Sequence, residues 1–183
     1  MLGCGGSKFG DCTLPVILLD VDGVINVLEP IDAAGYEYAD VSVHRNFSVE
    51  VFPIYWRQVV VDYLNRVSRD GLAEIQWLTT WGQHAITALS PALGLDQFQV
   101  ADTIERYRPQ ERIVWTPNWW KLNAIRRFAG VRRFAFIDDD LSEWTRAQIA
   151  AIAPDSFLLR PASRVGLTDD DLASLDAWLT GQN

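Results

Sequence analysis

The sequence predicts an α/β fold: a three-layer, doubly wound, mostly parallel sheet with a small β-flap inserted near its start. Three observations predict it. Continuous apolar runs of strand length occur in "PVILLD", "LAEIQWL" and "RRFAFIDDD", the pattern of strands buried on both faces. Segments with helical spacing alternate with these runs, which implies right-handed crossovers and a parallel sheet. Each run stops at an acid or a hydroxyl (Asp20, Thr79 and Asp138), and open α/β sheets bind ligands outside the carboxyl ends of their strands.

The elements follow in order. Residues 1–14 read as a flexible, Gly-rich tail ahead of a single domain over 15–183. "PVILLD" is a buried central strand. Residues 27–54 carry alternating stretches, with Phe47, Val49 and Val51 on one side, and predict an antiparallel hairpin or flap. In "YWRQVVVDYLNRVSRDG" the apolar residues Trp56, Val59, Val60, Tyr63, Leu64 and Val67 recur at helical spacing, and Asp70-Gly71 ends the helix. "LAEIQWL" is the second core strand. A helix through "GQHAITALS" is expected to break before Pro91, and "DQFQVAD" to form a shorter strand. "TPNWWKLNAIRRFAG" predicts a helix starting near Thr116 or Asn118 and stopping at Gly130. "RRFAFIDDD" is the next strand, and "LSEWTRAQIAAIA" a helix with Asp140 as its cap. "SFLLR" is a last strand, and the box from Thr168 to Asp171 opens a closing helix. The pattern is that of a Rossmann-like sheet.

Composition narrows the function classes. The chain has 183 residues, 49% of them apolar and 22% charged, enough to build a core and too apolar for disorder. Its net charge of −8 argues against general polyanion binding. Half of its 16 basic residues nevertheless lie between Arg106 and Arg133. They read either as a patch for a phosphorylated ligand or, for most of them, as solvated helix faces. Cys4 and Cys12 sit in the tail without histidine partners, which argues against a disulfide framework or a zinc site. No apolar run reaches the ~20 residues of a membrane span. The N-terminus lacks a secretory apolar region, so a cytoplasmic location is expected.

The strand ends carry the chemistry. Asp20-Val21-Asp22-Gly23, Thr79-Thr80 and Asp138-Asp139-Asp140 come from separate segments, with Lys121 near the start of a helix. Clustered carboxylates repel unless a cation offsets them, and an all-oxygen donor set suits Mg²⁺. Taken alone, Asp20 and Asp22 could simply form an Asx-type turn. Thr79 or Thr80 could cap the following helix, and Lys121 could be a solvated lysine, with Arg112 supplying the cation instead. His44 and His84 read as solvent-facing or structural, and Trp115, Trp119 and Trp120 as core or as stacking rings.

These motifs resemble, in order, those of the haloacid dehalogenase (HAD) superfamily of phosphohydrolases: "LLDVDGV", "IQWLTT", Lys121 and "FAFIDDD". The resemblance spans about residues 16 to 140 and implies roles. Asp20 would be the nucleophile and a metal ligand. Asp22 would protonate the leaving group, then act as base for water, with its backbone carbonyl on the metal. Thr79 would hydrogen-bond the transferring phosphoryl group, with Thr80 beside it. Lys121 would neutralise charge, and Asp138 and Asp139 would hold Mg²⁺. Gly23 would let the chain turn beside the phosphate. An acid at Asp22 favours a phosphatase over a dehalogenase, because an alkoxide leaving group needs a proton.

Too few residues separate Lys121 from "FAFIDDD" for a cap domain, and only a flap and one helix fit between the first two motifs. An almost uncapped site would admit a bulky phosphorylated substrate, such as an RNA or DNA end or a nucleotide. "WLTTW", "IDDD" and "VGLTDDDL" also resemble the phosphatase domains of RNA-repair proteins. The alternatives are a phosphatase for small metabolites, with the flap as lid, and a non-catalytic binding module.

Overall fold

The computed structural model describes residues 13–45, 47–106 and 119–181. Its central sheet has five parallel strands: β1 (Val16–Leu19), β4 (Glu74–Trp77), β5 (Gln99–Val100), β6 (Phe134–Ile137) and β7 (Phe157–Leu159). Their spatial order is β5-β4-β1-β6-β7. The chain leaves β1 toward one edge, then returns to build the other, so the sheet is doubly wound about β1. A separate antiparallel hairpin, β2 (Glu37–Arg45) and β3 (Ser48–Trp56), is inserted between β1 and β4. Among the described residues the α-helices are α1 (Gln58–Arg69), α2 (Ser90–Leu93), α3 (Trp119–Ile125), α4 (Glu143–Ile152) and α5 (Asp169–Thr180).

Strand alternation sorts the core into two layers. Ile17 and Leu19 face a cluster holding Val60, Leu64 and Val67 of α1 and Leu172, Leu175 and Trp178 of α5. Val16 and Leu18 join Phe134 and Phe136 of β6 in a second cluster, with Leu122 and Ile125 of α3 and Ile149 of α4. All four β1 residues are fully buried, as a strand covered on both faces requires.

Several local expectations hold, and others are corrected. The final helix opens on the Thr168–Asp171 capping box: the Thr168 hydroxyl accepts from the Asp171 N–H, and the Asp171 carboxylate accepts from the Thr168 N–H. The hairpin spans 37–56, not 27–54, because its register pairs Glu37 with Trp56. Trp56 is therefore a strand residue, and α1 starts two residues later with Val59 half exposed. Pro91 does not break the helix before it. A π turn over Ala85–Leu89 runs into α2, with the Ser90 N–H reaching back to the Ala85 carbonyl, and Pro91 sits in the first turn of α2, where a missing N–H is tolerated. Asp140 does not cap α4. Ser142 does, its hydroxyl accepting from the Thr145 N–H at 3.1 Å. The helix expected to stop at Gly130 ends at Ile125, and turns carry the chain on to Gly130. Its expected start, at Thr116 or Asn118, lies outside the described residues.

Candidate active site

The sheet register brings the first acids together. Val16, Leu18 and Asp20 share one face of β1, and Phe134, Phe136 and Asp138 share the same face of β6. The strands pair Val16 with Phe134 and Leu18 with Phe136, and the Asp20 N–H extends the ladder to the Ile137 carbonyl at 3.0 Å. Two residues beyond the Leu18–Phe136 pair, both strands place an aspartate toward the α3 side. Lys121, on α3, meets them there.

Lys121 Nζ donates to Asp20 Oδ2 at 2.5 Å and to Asp138 Oδ2 at 2.6 Å. It is 4% exposed, Asp20 8% and Asp138 fully buried, so this lysine is no solvated helix residue. Burial opposes the lysine's charge, but Asp20 and Asp138 outweigh it and hold its pKa above the usual value. Burial pushes Asp138 up to about 6; Lys121 opposes the rise and Asp20 adds to it. Asp138 Oδ1 accepts from the Asp140 N–H at 2.8 Å, which gives Asp140 a backbone role beside the site.

Asp139 completes the cluster. One carboxylate oxygen from each of Asp20, Asp138 and Asp139 lies within 4.8 Å of the others. Burial raises the Asp139 pKa, and a hydrogen bond with Ser163 lowers it. Arg160 Nε donates to the Asp139 carbonyl at 2.9 Å. Gly23 is the close neighbour on the other side: its φ is +70°, and a Cβ there would sit 2.1 Å from Asp139 Oδ2. The turn expected at Gly23 is thus present, and glycine is required both by the left-handed backbone and by the carboxylate against it.

Three carboxylates and one ammonium leave a net charge of about −2 if all are ionised. A divalent cation held by oxygens would offset it, so the donor set and its spacing fit such an ion. The Asp22 side chain is not in this cluster. Its Oδ1 accepts from Asn26 Nδ2 at 2.7 Å and its Oδ2 from Trp81 Nε1 at 2.9 Å.

Thr79 follows β4 and is fully buried; its Oγ1 accepts from the Trp81 N–H at 3.3 Å. Thr80 is exposed. Thr79 therefore does cap the following turn, and it lies at the strand end beside β1, where the Leu78 N–H bonds the Leu19 carbonyl. Arg112 and Trp115 lie outside the described residues, as does the side chain of Trp119. Trp120 is buried in the core with Lys121 Nζ 5.8 Å from its ring centroid, so it is a packing residue and not an exposed stacking platform.

Several described arginines of the basic stretch are engaged in the fold. Arg106 and Arg127 pair with buried Asp102, Arg132 with Glu74, and Arg133 stacks on Trp178. His44 is exposed and His84 half-buried. Sequence reasoning missed Asn26, Trp81 and Ser163. Trp81 stands inside the quoted motif "WLTTW" and Asn26 two residues beyond "LLDVDGV", but nothing in their spacing shows that both turn toward Asp22.

Among the described residues, no helix is long and apolar enough to cross a membrane. No curated protein and no solved structure gives a significant match to the chain. A family model, described as the HAD domain in Swiss Army Knife RNA repair proteins, matches residues 16–172. That span takes in the whole five-stranded sheet, the hairpin, all the aspartates described above and Lys121. The chain belongs to the family of HAD domains found in Swiss Army Knife RNA repair proteins.

Proposed function

We propose that the protein is a Mg²⁺-dependent phosphatase that acts through an aspartyl-phosphate, with a phosphorylated polynucleotide end as substrate. The observation that carries this reading is Lys121 Nζ, buried within 2.6 Å of both Asp20 and Asp138 beside a third carboxylate. A buried cation among carboxylates is what an incoming phosphate dianion needs next to an anionic nucleophile.

Asp20, Asp138 and Asp139, with the Asp22 carbonyl, would hold the ion, which supplies charge neutralisation for the phosphoryl oxygens when bound. An Asp20 carboxylate oxygen attacks phosphorus, and the bond from phosphorus to the leaving oxygen breaks. Asp22 donates its proton to that oxygen, so an alcohol departs and an acyl phosphate remains on Asp20. The Asp22 carboxylate then takes a proton from water. The water oxygen attacks phosphorus, the bond to Asp20 breaks, and inorganic phosphate and free Asp20 are restored. Lys121 screens the charge between Asp20 and the phosphoryl group throughout, and Thr79, with Thr80 and Arg112, would bind the phosphoryl oxygens.

The family's association with RNA repair and the absence of a cap beyond the hairpin among the described residues support a bulky substrate. Phosphate release is measured with and without Mg²⁺ from 3′- and 5′-phosphorylated oligonucleotides, mononucleotides and sugar phosphates. Mg²⁺-dependent turnover that prefers an oligonucleotide and is abolished in Asp20→Asn is expected. A preference for a sugar phosphate would replace the polynucleotide with a metabolite, and no turnover of any ester by folded, Mg²⁺-loaded protein would defeat the enzyme reading.

A further inference from the structure

We propose that Asn26 and Trp81 are positioning residues that hold the Asp22 carboxylate for proton transfer, and that the β2–β3 hairpin braces both of them. The proposal rests on the acid/base role assigned to Asp22 above. The two donors approach different oxygens of that carboxylate, Asn26 Nδ2 at Oδ1 and Trp81 Nε1 at Oδ2. One donor would leave the carboxylate free to swing about its terminal torsion, which is broad. Two donors from different segments fix its plane. Each oxygen keeps a second lone pair, so a proton can come and go without both contacts being lost.

The donors are themselves oriented from β3. Asn26 Oδ1 accepts from the Tyr55 N–H at 3.1 Å, and this sets the amide so that its NH₂ must face Asp22. The backbone on either side is tied as well: the Gly23 N–H donates to the Asn26 carbonyl at 2.7 Å, and the Val27 N–H to the Tyr55 carbonyl at 2.7 Å. The Trp81 ring packs on Phe52 with centroids 5.1 Å apart. Asn26 and Trp81 are 5% and 6% exposed, so water does not compete freely for either donor. Phe52 and Tyr55 both belong to β3. The hairpin therefore reaches Asp22 by two routes, one through a backbone hydrogen bond and one through ring packing.

A leaving-group comparison separates positioning from mere support. The kcat/KM of this reaction reports steps up to departure of the leaving group. A p-nitrophenolate departs without a proton, whereas an alkoxide requires one. Trp81→Phe keeps the ring and removes its donor; Asn26→Ala removes the other donor and leaves the Trp81–Phe52 packing alone. Both are assayed with p-nitrophenyl phosphate and with a 3′-phosphorylated oligonucleotide or glycerol phosphate, whichever the wild type cleaves, and folding is checked by circular dichroism. At least one folded variant should lose about 10- to 100-fold in kcat/KM on the alkyl ester and less than about 3-fold on the aryl ester. Equal losses on the two esters, or no loss on the alkyl ester, would overturn the positioning role. A wild type that hydrolyses p-nitrophenyl phosphate and no alkyl ester would overturn the proton donor at Asp22, and no hydrolysis of either would strike at the phosphatase reading itself.

Discussion

Replacing Lys121 with methionine keeps the length of the side chain and removes its charge from between Asp20 and Asp138. In metal-free protein the two carboxylates, 8% and 0% exposed, would then lack their buried cation. Breaking such a pair costs about 3–5 kcal/mol. Proton uptake limits the damage: taking up a proton costs about 1.4 kcal/mol for each pH unit above the ordinary aspartate pKa of about 3.9. The sign of the pH dependence follows. A carboxyl whose folded pKa lies above its unfolded value binds more protons when folded, so stability falls as pH rises between the two values. In the wild type that fall ends near the Asp138 pKa of about 6. In the variant only the Asp140 N–H bond still opposes the rise, and the fall continues above pH 6 at up to about 1.4 kcal/mol per unit. The raised pKa of Lys121 lies above this window and adds no slope within it. Urea denaturation in EDTA at pH 6, 7 and 8 measures the difference. A penalty of about 3–5 kcal/mol at pH 8 that shrinks toward pH 6 is expected. A loss under about 1 kcal/mol at pH 8, or one equal at pH 6 and pH 8, would refute the placement of a charged lysine between two charged aspartates.

Gly23→Ala should lower stability by about 1–2 kcal/mol from its left-handed backbone alone. Because the new methyl would lie 2.1 Å from Asp139 Oδ2, it should also weaken Mg²⁺ binding about 10-fold or more in calorimetric titration. Unchanged Mg²⁺ affinity would remove Asp139 from the ion's ligands. Mg²⁺ affinity of the wild type should strengthen as pH rises through about 6, where Asp138 gives up its proton, and level off above that. A flat profile from pH 5 to pH 7.5 would show that Asp138 does not exchange a proton for the ion.

Much of the site was legible because β-structure makes local pattern informative. The alternation of Val16, Leu18 and Asp20 dictates which face of β1 the first aspartate occupies, and "FAFIDDD" makes the same statement for Asp138. Thr168 and Asp171 announced a helix start through a contact three residues long. Where local pattern misled, a tertiary contact had overridden it. Trp56 fits the helical spacing of α1, yet it pairs with Glu37 across the hairpin. Asp140 and Ser142 both suit a helix cap; the chain caps α4 with Ser142, and the Asp140 N–H bonds Asp138.

The amino-acid sequence by itself determined the alternation of strands and helices, the doubly wound sheet, and the convergence of Asp20, Thr79 and Asp138 on one sheet edge. Those properties follow from periods of two and about 3.6 residues and from the rule that strand ends meet where parallel strands align. Only the tertiary structure decided that Lys121 is buried between Asp20 and Asp138, because its contact with Asp20 spans 101 residues of chain and no local pattern separates a buried lysine from a solvated one. It also decided the surroundings of Asp22. Trp81 is 59 residues away and Asn26 only four, yet neither orientation could be read from spacing. The hairpin meets both, Asn26 through the Tyr55 N–H and Trp81 through packing on Phe52, and such contacts are properties of the folded whole.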